Sequence, residues 1–352
     1  MKLSDFNYNL PNELIAQFPT KERDNSRLLL LCRESSEIKH YMFNQLCSLL
    51  NKGDLLVLND TKVLNARLVG KRLGFQGKIE ILLVEKIKDN IYTCLAKPAC
   101  RFKDGTKLIF GDGSLEAEVL SSEGNFKRIC FNIDGDLSAV LDEVGQIPLP
   151  PYIKREPVKQ DKQRYQTVYA KNKGAIAAPT AGLHFTKNLL LGIRARGIEI
   201  AYITLHVGYA TFKPVTEDEI LRHKMHKEYF EISKSTADKI SNTKERGRRV
   251  VAVGTTTCRA LESAAGNSQI DLPDRGKLLG TGVTKGWTEL FICPGYNFKV
   301  VDGLLTNFHF PRTTLLMLVS ALCGKDNLIR AYNEAIEKRY RFYSYGDAML
   351  II

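Results

Sequence analysis

Long apolar runs are missing from this chain of 352 residues. No stretch approaches the roughly 20 apolar residues that a helix needs to cross a membrane, so a membrane-spanning protein is not expected. The opening residues, MKLSDFNYNLPNELIAQ, also lack the basic lead, apolar run and small-residue cleavage site of a secretory signal. The sequence therefore predicts a cytoplasmic protein.

Closely spaced cysteine pairs are missing too. No two of the eight cysteines form the CxxC pattern that is typical of structural zinc sites. Several lie in apolar stretches, such as Cys94 in IYTCLA, where a reduced thiol packs as a small hydrophobic group. We expect neither disulfides nor a metal site.

An excess of basic residues is confined to one part of the chain. Residues 1–150 hold equal numbers of acidic and basic side chains, whereas residues 151–352 hold 31 basic and 19 acidic ones and account for the net charge of +12. Such a surplus suits a polyanion such as RNA, although a solvated surface without a partner explains it equally well. The candidate RNA-binding residues are Lys154, Arg155, Lys159, Lys162, Arg164, Arg246, Arg248 and Arg249.

The middle of the chain, residues 65–150, differs from the segments on either side in its pattern of apolar and turn-forming residues. Short strands such as KIEILLVEKI and FKRICFNI alternate with glycine and aspartate turns, and no helical periodicity interrupts them. This pattern predicts a small antiparallel barrel or sandwich, and we expect a β-barrel. Buried-type strands on both sides, DLLVLND before it and LLTNF after it, predict one α/β main domain of residues 1–64 and 151–352 into which the barrel is inserted. Residues 4–17 are expected to form a short helix.

A strand–loop–helix pattern recurs three times in the second half, at residues 174–197, 248–265 and 300–322. Each loop contains reactive polar side chains. In an open α/β sheet, ligands bind outside the carboxyl ends of the strands, where such loops converge. The pattern therefore predicts an enzyme site in the α/β domain.

Three of the six histidines, His184, His206 and His309, fall at or just beyond the end of a predicted strand. Together they favour a polar cleft, because neutral imidazole is available near pH 7 as an acid or a base. The pair His223 and His226 in RHKMHKEYF resembles an HxxH metal ligand pair. No third metal-ligating residue lies at a spacing that is typical of metal sites, so a metal site is not expected there.

Two junctions between a loop and a helix contain candidate anion sites. In GTTTCRALES, Gly254 precedes a helix whose positive amino end suits phosphate or carboxylate, although a simple threonine cap explains the motif equally well. Arg312 in PRTT is an anion clamp at another helix start. Asp60, Lys62 and Arg67 stand where the first domain passes into the second, a common place for ligands, unless they form surface ion pairs.

Several long motifs make the sequence recognisable: NDTKVLNARL, YQTVYA, APTAGLHFT, LHVGYATFKPV, HKMHKEYFEI, AVGTTTCRALES, GWTELFICPGY and DGLLTNFHFPRTTLLMLVSALCG. In this order they closely resemble the S-adenosylmethionine:tRNA ribosyltransferase-isomerase family of queuosine biosynthesis, over essentially the whole chain. The departures are mild. Arg312 and Thr313 stand where the family has Lys and Ser, and Thr257 and Cys258 where it has Ser and Val, so that charge and hydroxyl groups are kept.

The resemblance implies a reaction with tRNA. The ribosyl group of S-adenosylmethionine moves onto 7-aminomethyl-7-deazaguanine at the wobble position and is isomerised to give epoxyqueuosine, with release of adenine and methionine. S-adenosylmethionine is then a consumed co-substrate, and no true cofactor is implied. The sulfonium acidifies the ribose 5′-carbon, so that a base forms an ylide before the ring rearranges, adenine departs and the amine attacks. We expect a monomer.

The resemblance supplies the reaction but no settled catalytic residue, so the roles below are expectations. The candidate catalytic residues are His184, His206, His226 and Glu228. One of the first two is expected to act as the base, while His226 and Glu228 assist adenine protonation or orient that base. The candidate substrate-binding residues are Asp60, Lys62, Arg67, Thr180, Gly182, Thr256, Arg259, Asn307, His309 and Arg312.

Two other functions stay open on the sequence. An S-adenosylmethionine-dependent RNA methyltransferase would need a glycine-rich loop between its first strand and helix, and GTGVTKG at residues 280–286 lacks that context. A non-catalytic RNA-binding protein that used the barrel would need aromatic side chains for base stacking. The electrically neutral segment 65–150 has few of them.

Overall fold

The structure, a computed structural model, describes residues 1–208, 220, 225–266 and 284–352. The strands are, in chain order, β1 (Arg27–Leu31), β2 (Ile38–Met42), β3 (Leu55–Asn59), β4 (Thr61–Val63), β5 (Arg67–Arg72), β6 (Lys78–Lys88), β7 (Ile91–Lys97), β8 (Lys107–Phe110), β9 (Leu115–Glu123), β10 (Phe126–Asn132), β11 (Asn172–Ala175), β12 (Glu199–Leu205), β13 (Glu228–Ile232), β14 (Val250–Val253), β15 (Thr284–Thr288), β16 (Gly303–Asn307) and β17 (Ala348–Ile351). The helices are α1 (Leu46–Leu49), α2 (Leu137–Val144), α3 (Asp161–Arg164), α4 (Lys187–Ala195), α5 (Lys234–Glu245), α6 (Thr255–Gly266), α7 (Thr314–Cys323) and α8 (Lys325–Glu337).

Among the described residues, nine strands form one mixed sheet in the order β15-β13-β12-β3-β14-β16-β17-β1-β2. Its centre is parallel, because β3 pairs with β12 on one side and with β14 on the other, and β14 pairs with β16. The carboxyl ends of these four strands therefore meet along one side of the sheet, which we call the carboxyl edge. Their amino ends form the opposite side, the amino edge.

Helices cover both faces of this sheet. Successive side chains of β3 point to opposite faces, so Leu55 and Val57 pack in one apolar layer with α5, α6, α7 and α8, while Leu56 and Leu58 pack in another with α1 and α4. All five residues of β3 are buried. The near-continuous apolar run of this strand is thus explained by burial on both faces.

Strands β5 to β10 close into an antiparallel barrel in the order β10-β7-β6-β5-β8-β9. Burial alternates along β9, where Leu115, Ala117 and Val119 point inward. The predicted α/β fold with a small antiparallel β-barrel is confirmed. Helix α2, whose Leu137 and Leu141 complete the barrel interior, was not expected in this segment.

Two local expectations are wrong. Residues 4–17 do not form one helix but two short 3₁₀ helices, Leu3–Phe6 and Asn12–Leu14, because Asn7 and Pro11 between them are extended and a proline disfavours helical backbone in the residue before it. The strand of the first strand–loop–helix segment, β11, pairs with β4 outside the main sheet. Among the described residues, no helix has both the length and the apolar character that a membrane crossing requires.

Candidate active site

A cavity of about 440 Å³ opens at the carboxyl edge. Its walls come from the segments that follow β11, β12, β14 and β16, from the segment that precedes β17, and from the segment between α2 and α3. The largest contributions are from residues 177–181, 254–256, 306–311 and 343–344. Four of the predicted substrate-binding residues, Thr180, Thr256, Asn307 and His309, line this cavity.

The amino end of α6 forms one wall. Gly254 turns the chain from β14 into the helix with a positive φ of 91°, a conformation that glycine adopts without strain. The hydroxyl of Thr257 donates to the carbonyl of Val253 at 2.7 Å, whereas the buried hydroxyl of Thr256 has no hydrogen-bond partner among the described residues. First-turn N–H groups and this free hydroxyl together suit a carboxylate or a phosphate.

Asn307, the last residue of β16, forms a second polar wall. Its Nδ2 lies 3.1 Å from Nε2 of His184 and 3.2 Å from the carbonyl oxygen of Tyr343. Its Oδ1 is buried and, within the described ranges, has no partner. Asn307 lines the cavity, so this unpaired acceptor belongs to a residue of the cavity wall.

His184 lies behind Asn307 and does not line the cavity. It occupies the 3₁₀ helix Thr180–His184 rather than a strand end, its Nδ1 is 2.7 Å from Oγ of Ser26, and its ring stacks on Phe43. Since Nε2 accepts from Asn307, Nδ1 carries the proton. Burial, with the nearby charges of Arg23 and Arg341, lowers the pKa of His184 to about 3. It is therefore a neutral residue that positions Asn307.

Within the described part of the chain, His309 is the histidine that lines the cavity. Its Nε2 is 2.8 Å from Oγ1 of Thr306, and its backbone N–H donates to the hydroxyl of Tyr332 at 2.9 Å. Its backbone carbonyl accepts a hydrogen bond from the hydroxyl of Tyr8. Burial lowers the pKa of His309 to about 3, so its imidazole is neutral at pH 7.

Aromatic rings that the sequence analysis missed form the remaining wall. Phe310 and Tyr343 stack on each other, and the ring centroid of Tyr152 lies 5.2 Å from that of Phe310 and 5.0 Å from that of Tyr343. All three line the cavity. In the sequence, these rings could have been suspected only from the aromatic residues in the motifs IPLPPYI and FYSYGDAM, to which no function was assigned.

His206 follows β12, as predicted, but its side chain does not line the cavity; the next residue, Val207, does. The Nδ1 atom of His206 is 2.8 Å from Oγ1 of Thr61, and its ring packs against Gly174. Burial lowers the pKa of His206, while the carboxylate of Asp60 acts in the opposite direction. Oδ1 of Asp60 accepts a hydrogen bond from the hydroxyl of Thr204 at 2.7 Å, so one oxygen of that carboxylate already has a partner.

The predicted catalytic residue Glu228 is buried in an ion pair with Arg259. Its Oε1 also accepts from the backbone N–H of Gly208 at 3.1 Å. Neither Glu228 nor Arg259 lines the cavity, so the pair anchors the segment after β12 to α6. His226 is exposed and away from the cavity lining, and His223 lies outside the described residues.

Comparison with known proteins settles the family. The family described as "Queuosine biosynthesis protein" matches residues 3–351. The chain belongs to this queuosine biosynthesis family. The predicted resemblance is confirmed.

Relatives of the same family match the full chain. Proteins named S-adenosylmethionine:tRNA ribosyltransferase-isomerase from Clostridioides difficile, Halothermothrix orenii and Acetivibrio thermocellus are 52%, 51% and 49% identical, each over 353 residues that cover 100% of both chains. The crystal structure of an S-adenosylmethionine tRNA ribosyltransferase from Thermotoga maritima is 38% identical and superposes with a TM-score of 0.56, covering 99% of this chain and 100% of that one.

Four other predicted substrate-binding residues of this queuosine biosynthesis protein do not line the cavity. Gly182 is needed for packing, because a Cβ there would lie 2.1 Å from the hydroxyl of Tyr169. Arg67 pairs with two carboxylates at the root of the barrel, and those pairs raise its pKa. Arg312 is exposed and donates to the side chain of Asn7, and Lys62 lies on β4.

The predicted RNA-binding residues of this family member divide into partly buried and exposed cations. Three arginines are engaged within the described structure: Arg155 pairs with Asp161, Arg164 donates to the carbonyls of Thr20 and Lys21, and Arg249 pairs with Asp54. The exposed cations are Lys154, Lys159, Lys162, Arg246 and Arg248. Residues 246–249 precede β14 and therefore lie at the amino edge, opposite the cavity.

No group of three or more possible metal-ligating side chains was found within the part of the chain that the structure describes.

Proposed function

We propose that this chain is an S-adenosylmethionine:tRNA ribosyltransferase-isomerase. It transfers and isomerises the ribosyl group of S-adenosylmethionine onto 7-aminomethyl-7-deazaguanine at the wobble position of tRNA. The products are epoxyqueuosine-tRNA, adenine and methionine. Membership of the queuosine biosynthesis family and the names of full-length relatives support this activity.

The observation that best supports a site for this donor is the combination of free polar atoms and aromatic rings in one cavity. Its volume of about 440 Å³ lies within the usual range for small-molecule sites. In this proposal, the methionine carboxylate binds the first turn of α6 with the hydroxyl of Thr256, which has no other partner among the described residues. Adenine packs on the wall of Tyr152, Phe310 and Tyr343, and Oδ1 of Asn307 accepts from a ribose hydroxyl.

The cavity also narrows the choice of base. The sequence favoured His184 or His206, but among the described residues His309 is the histidine that lines the cavity, and we propose it as the group that removes the 5′ proton. A neutral imidazole does not repel the sulfonium. Burial also makes His309 a weaker base than free histidine, so the reaction depends on the acidity that the sulfonium gives the 5′-carbon. In this scheme His184 holds Asn307 in place.

S-adenosylmethionine is consumed in this scheme, so it is a co-substrate and no separate cofactor is proposed. The monomeric state and the cytoplasmic location stay predictions.

The test is to incubate the purified protein with S-adenosylmethionine and tRNA that carries 7-aminomethyl-7-deazaguanine. We expect adenine and methionine in equal amounts, together with a tRNA nucleoside that gains the mass of the ribosyl group. S-adenosylhomocysteine with a methylated nucleoside would instead identify a methyltransferase. Bound tRNA without any small-molecule product would identify a binding protein.

A further inference from the structure

Three aromatic side chains stand in a row at one end of the nine-stranded sheet, outside the cavity. Tyr229 of β13 is directly opposite Trp287 of β15 in the strand register. The backbone N–H of His206 donates to the carbonyl of Tyr229, which continues the row onto the end of β12. Ring centroids are 6.2 Å apart for His206 and Tyr229 and 5.7 Å apart for Tyr229 and Trp287.

This row is open to solvent at its outer end. Trp287 is 59% exposed and is the single tryptophan of the chain. The neighbouring strand residues Gly286 and Thr288 point to the opposite face, as strand geometry requires. The indole packs edge-on against Tyr229, and more than half of the residue's surface faces solvent, where a partner can reach it.

Cations border the row at both ends. Lys285 lies two residues before Trp287 on the same face of β15, and Lys227 is exposed just before β13. At the other end, Lys62 and Lys173 are opposite each other in the β4–β11 pair. The β4–β11 pair adjoins His206, because the imidazole ring of His206 packs against Gly174 of β11. Lys173 also pairs with Asp142 at 2.7 Å.

We propose that His206, Tyr229 and Trp287 form a stacking surface for an unpaired base of the tRNA anticodon loop, with the bordering lysines near its phosphates. Aromatic side chains flanked by cations bind single-stranded RNA in this way. The location fits, because His206 begins the row and the adjacent Val207 lines the cavity. A loop base next to the reacting nucleotide can thus lie on the row. This inference rests on the proposed function for the identity of the RNA.

The test uses the fluorescence of Trp287 and a stem–loop RNA that carries 7-aminomethyl-7-deazaguanine in its loop. We expect this RNA to quench the tryptophan emission of the wild-type chain. Trp287→Ala should raise the Kd for the RNA about 10-fold, and Trp287→Phe should retain most of the affinity. The Kd for S-adenosylmethionine should not change in either variant.

Phe75→Ala provides the matched control. Phe75 is 55% exposed, close to the exposure of Trp287, but it lies beyond β5 of the barrel, where it packs against Arg72. This variant should bind the RNA as the wild type does. An equal loss of affinity in Phe75→Ala and Trp287→Ala would overturn the proposed surface.

Two further results would overturn it. One is an absence of quenching together with wild-type affinity in Trp287→Ala. The other is a change of oligomeric state in Trp287→Ala at unchanged RNA affinity, which would make the row a contact between copies of the chain. The RNA could also quench Trp287, and Trp287→Ala could lose RNA affinity, while the wild-type protein releases no adenine. That result would support the stacking surface and refute the ribosyl transfer.

Discussion

The two edges of the nine-stranded sheet differ in how their polar groups are satisfied. At the amino edge, the buried carboxylate of Asp54 accepts from Nη2 of Arg249 at 2.6 Å and from the backbone N–H of Asn51 at 2.8 Å. Asp302 likewise accepts from Nζ of Lys244 at 2.6 Å and from a backbone N–H at 2.8 Å. These contacts tie loops to strand ends.

At the carboxyl edge, polar atoms at the end of β16 and in the first turn of α6 have no partner among the described residues. The buried hydroxyl of Thr256 and Oδ1 of Asn307 form no hydrogen bond within the described residues. Each such group costs about 1–3 kcal/mol in the folded state. Thr256 and Asn307 both line the cavity, where a bound ligand would supply the missing partners.

The largest effect expected from a substitution at the carboxyl edge is on catalysis. His309→Ala should lower turnover by about 10²–10⁴-fold, because it removes the proposed base. S-adenosylmethionine should still bind, because the imidazole is not assigned to its carboxylate or to its adenine. Turnover is measured with S-adenosylmethionine deuterated at the 5′-carbon. Binding of S-adenosylmethionine is measured by calorimetry.

The alternative bases are tested in the same assay. If His206→Ala or His184→Ala abolishes removal of the 5′ hydrogen while His309→Ala retains it, the base is the residue that the sequence first suggested. The cavity wall would then be a binding surface only.

The second effect is on stability in acid and concerns the buried imidazoles of the carboxyl edge. The pKa values of His184 and His309 are about 3 in the folded chain and 6.5 without burial. The unfolded chain therefore binds more protons between these values, and stability falls as the pH falls through that window. From about pH 7.5 to about pH 5, each histidine should cost about 2 kcal/mol of unfolding free energy.

Urea unfolding at the two pH values measures this loss. His309→Ala should reduce it by about 2 kcal/mol, because the variant has one fewer imidazole to protonate on unfolding. An unchanged pH dependence in His309→Ala would show that this imidazole is not buried in its neutral form.

The third effect separates two adjacent hydroxyls of α6. Thr256→Val should weaken S-adenosylmethionine binding about 10-fold, because hydrogen bonds to charged groups contribute about 1.5–3 kcal/mol. Stability should not fall, since the lost hydroxyl has no partner among the described residues. Thr257→Val is the control: it loses the bond to Val253, so it should cost about 1 kcal/mol of stability and leave donor binding unchanged.

Strand burial and the positions of the polar loops could be predicted from the sequence. The apolar run of β3 and the short alternating strands of the barrel follow directly from side-chain periodicity. The site was predicted less well, because the sequence gives a residue's place along a strand but not the face toward which a loop side chain turns. His206 and Val207 illustrate this, since only the second lines the cavity.

Long-range pairing was also invisible in the sequence. Glu228 and Arg259 are 31 residues apart and form a buried ion pair, and neither residue lines the cavity. The aromatic wall was missed because Tyr152 and Tyr343 come from segments 191 residues apart. Only the fold brings them together.

The smallest expected effect compares exposed cations at the two edges. Lys159 belongs to the segment that follows Tyr152 of the cavity wall, and this segment is fastened by a 2.8 Å hydrogen bond from Tyr345 to Asp161. Arg246 is also exposed, but it lies at the amino edge, 4.0 Å from Glu199. The sequence predicted tRNA contacts for both. The structure separates them, so only Lys159 is expected near RNA whose reacting base enters the cavity.

Lys159→Ala should therefore weaken tRNA binding about 5-fold and reduce the slope of log affinity against log salt concentration by about one, the change expected for one lost phosphate contact. Arg246→Ala should leave both quantities unchanged. Filter binding over a series of salt concentrations measures the two slopes. Equal changes in both variants would mean that tRNA spans both edges of the sheet, and a change in Arg246→Ala alone would move the RNA to the amino edge, away from the cavity.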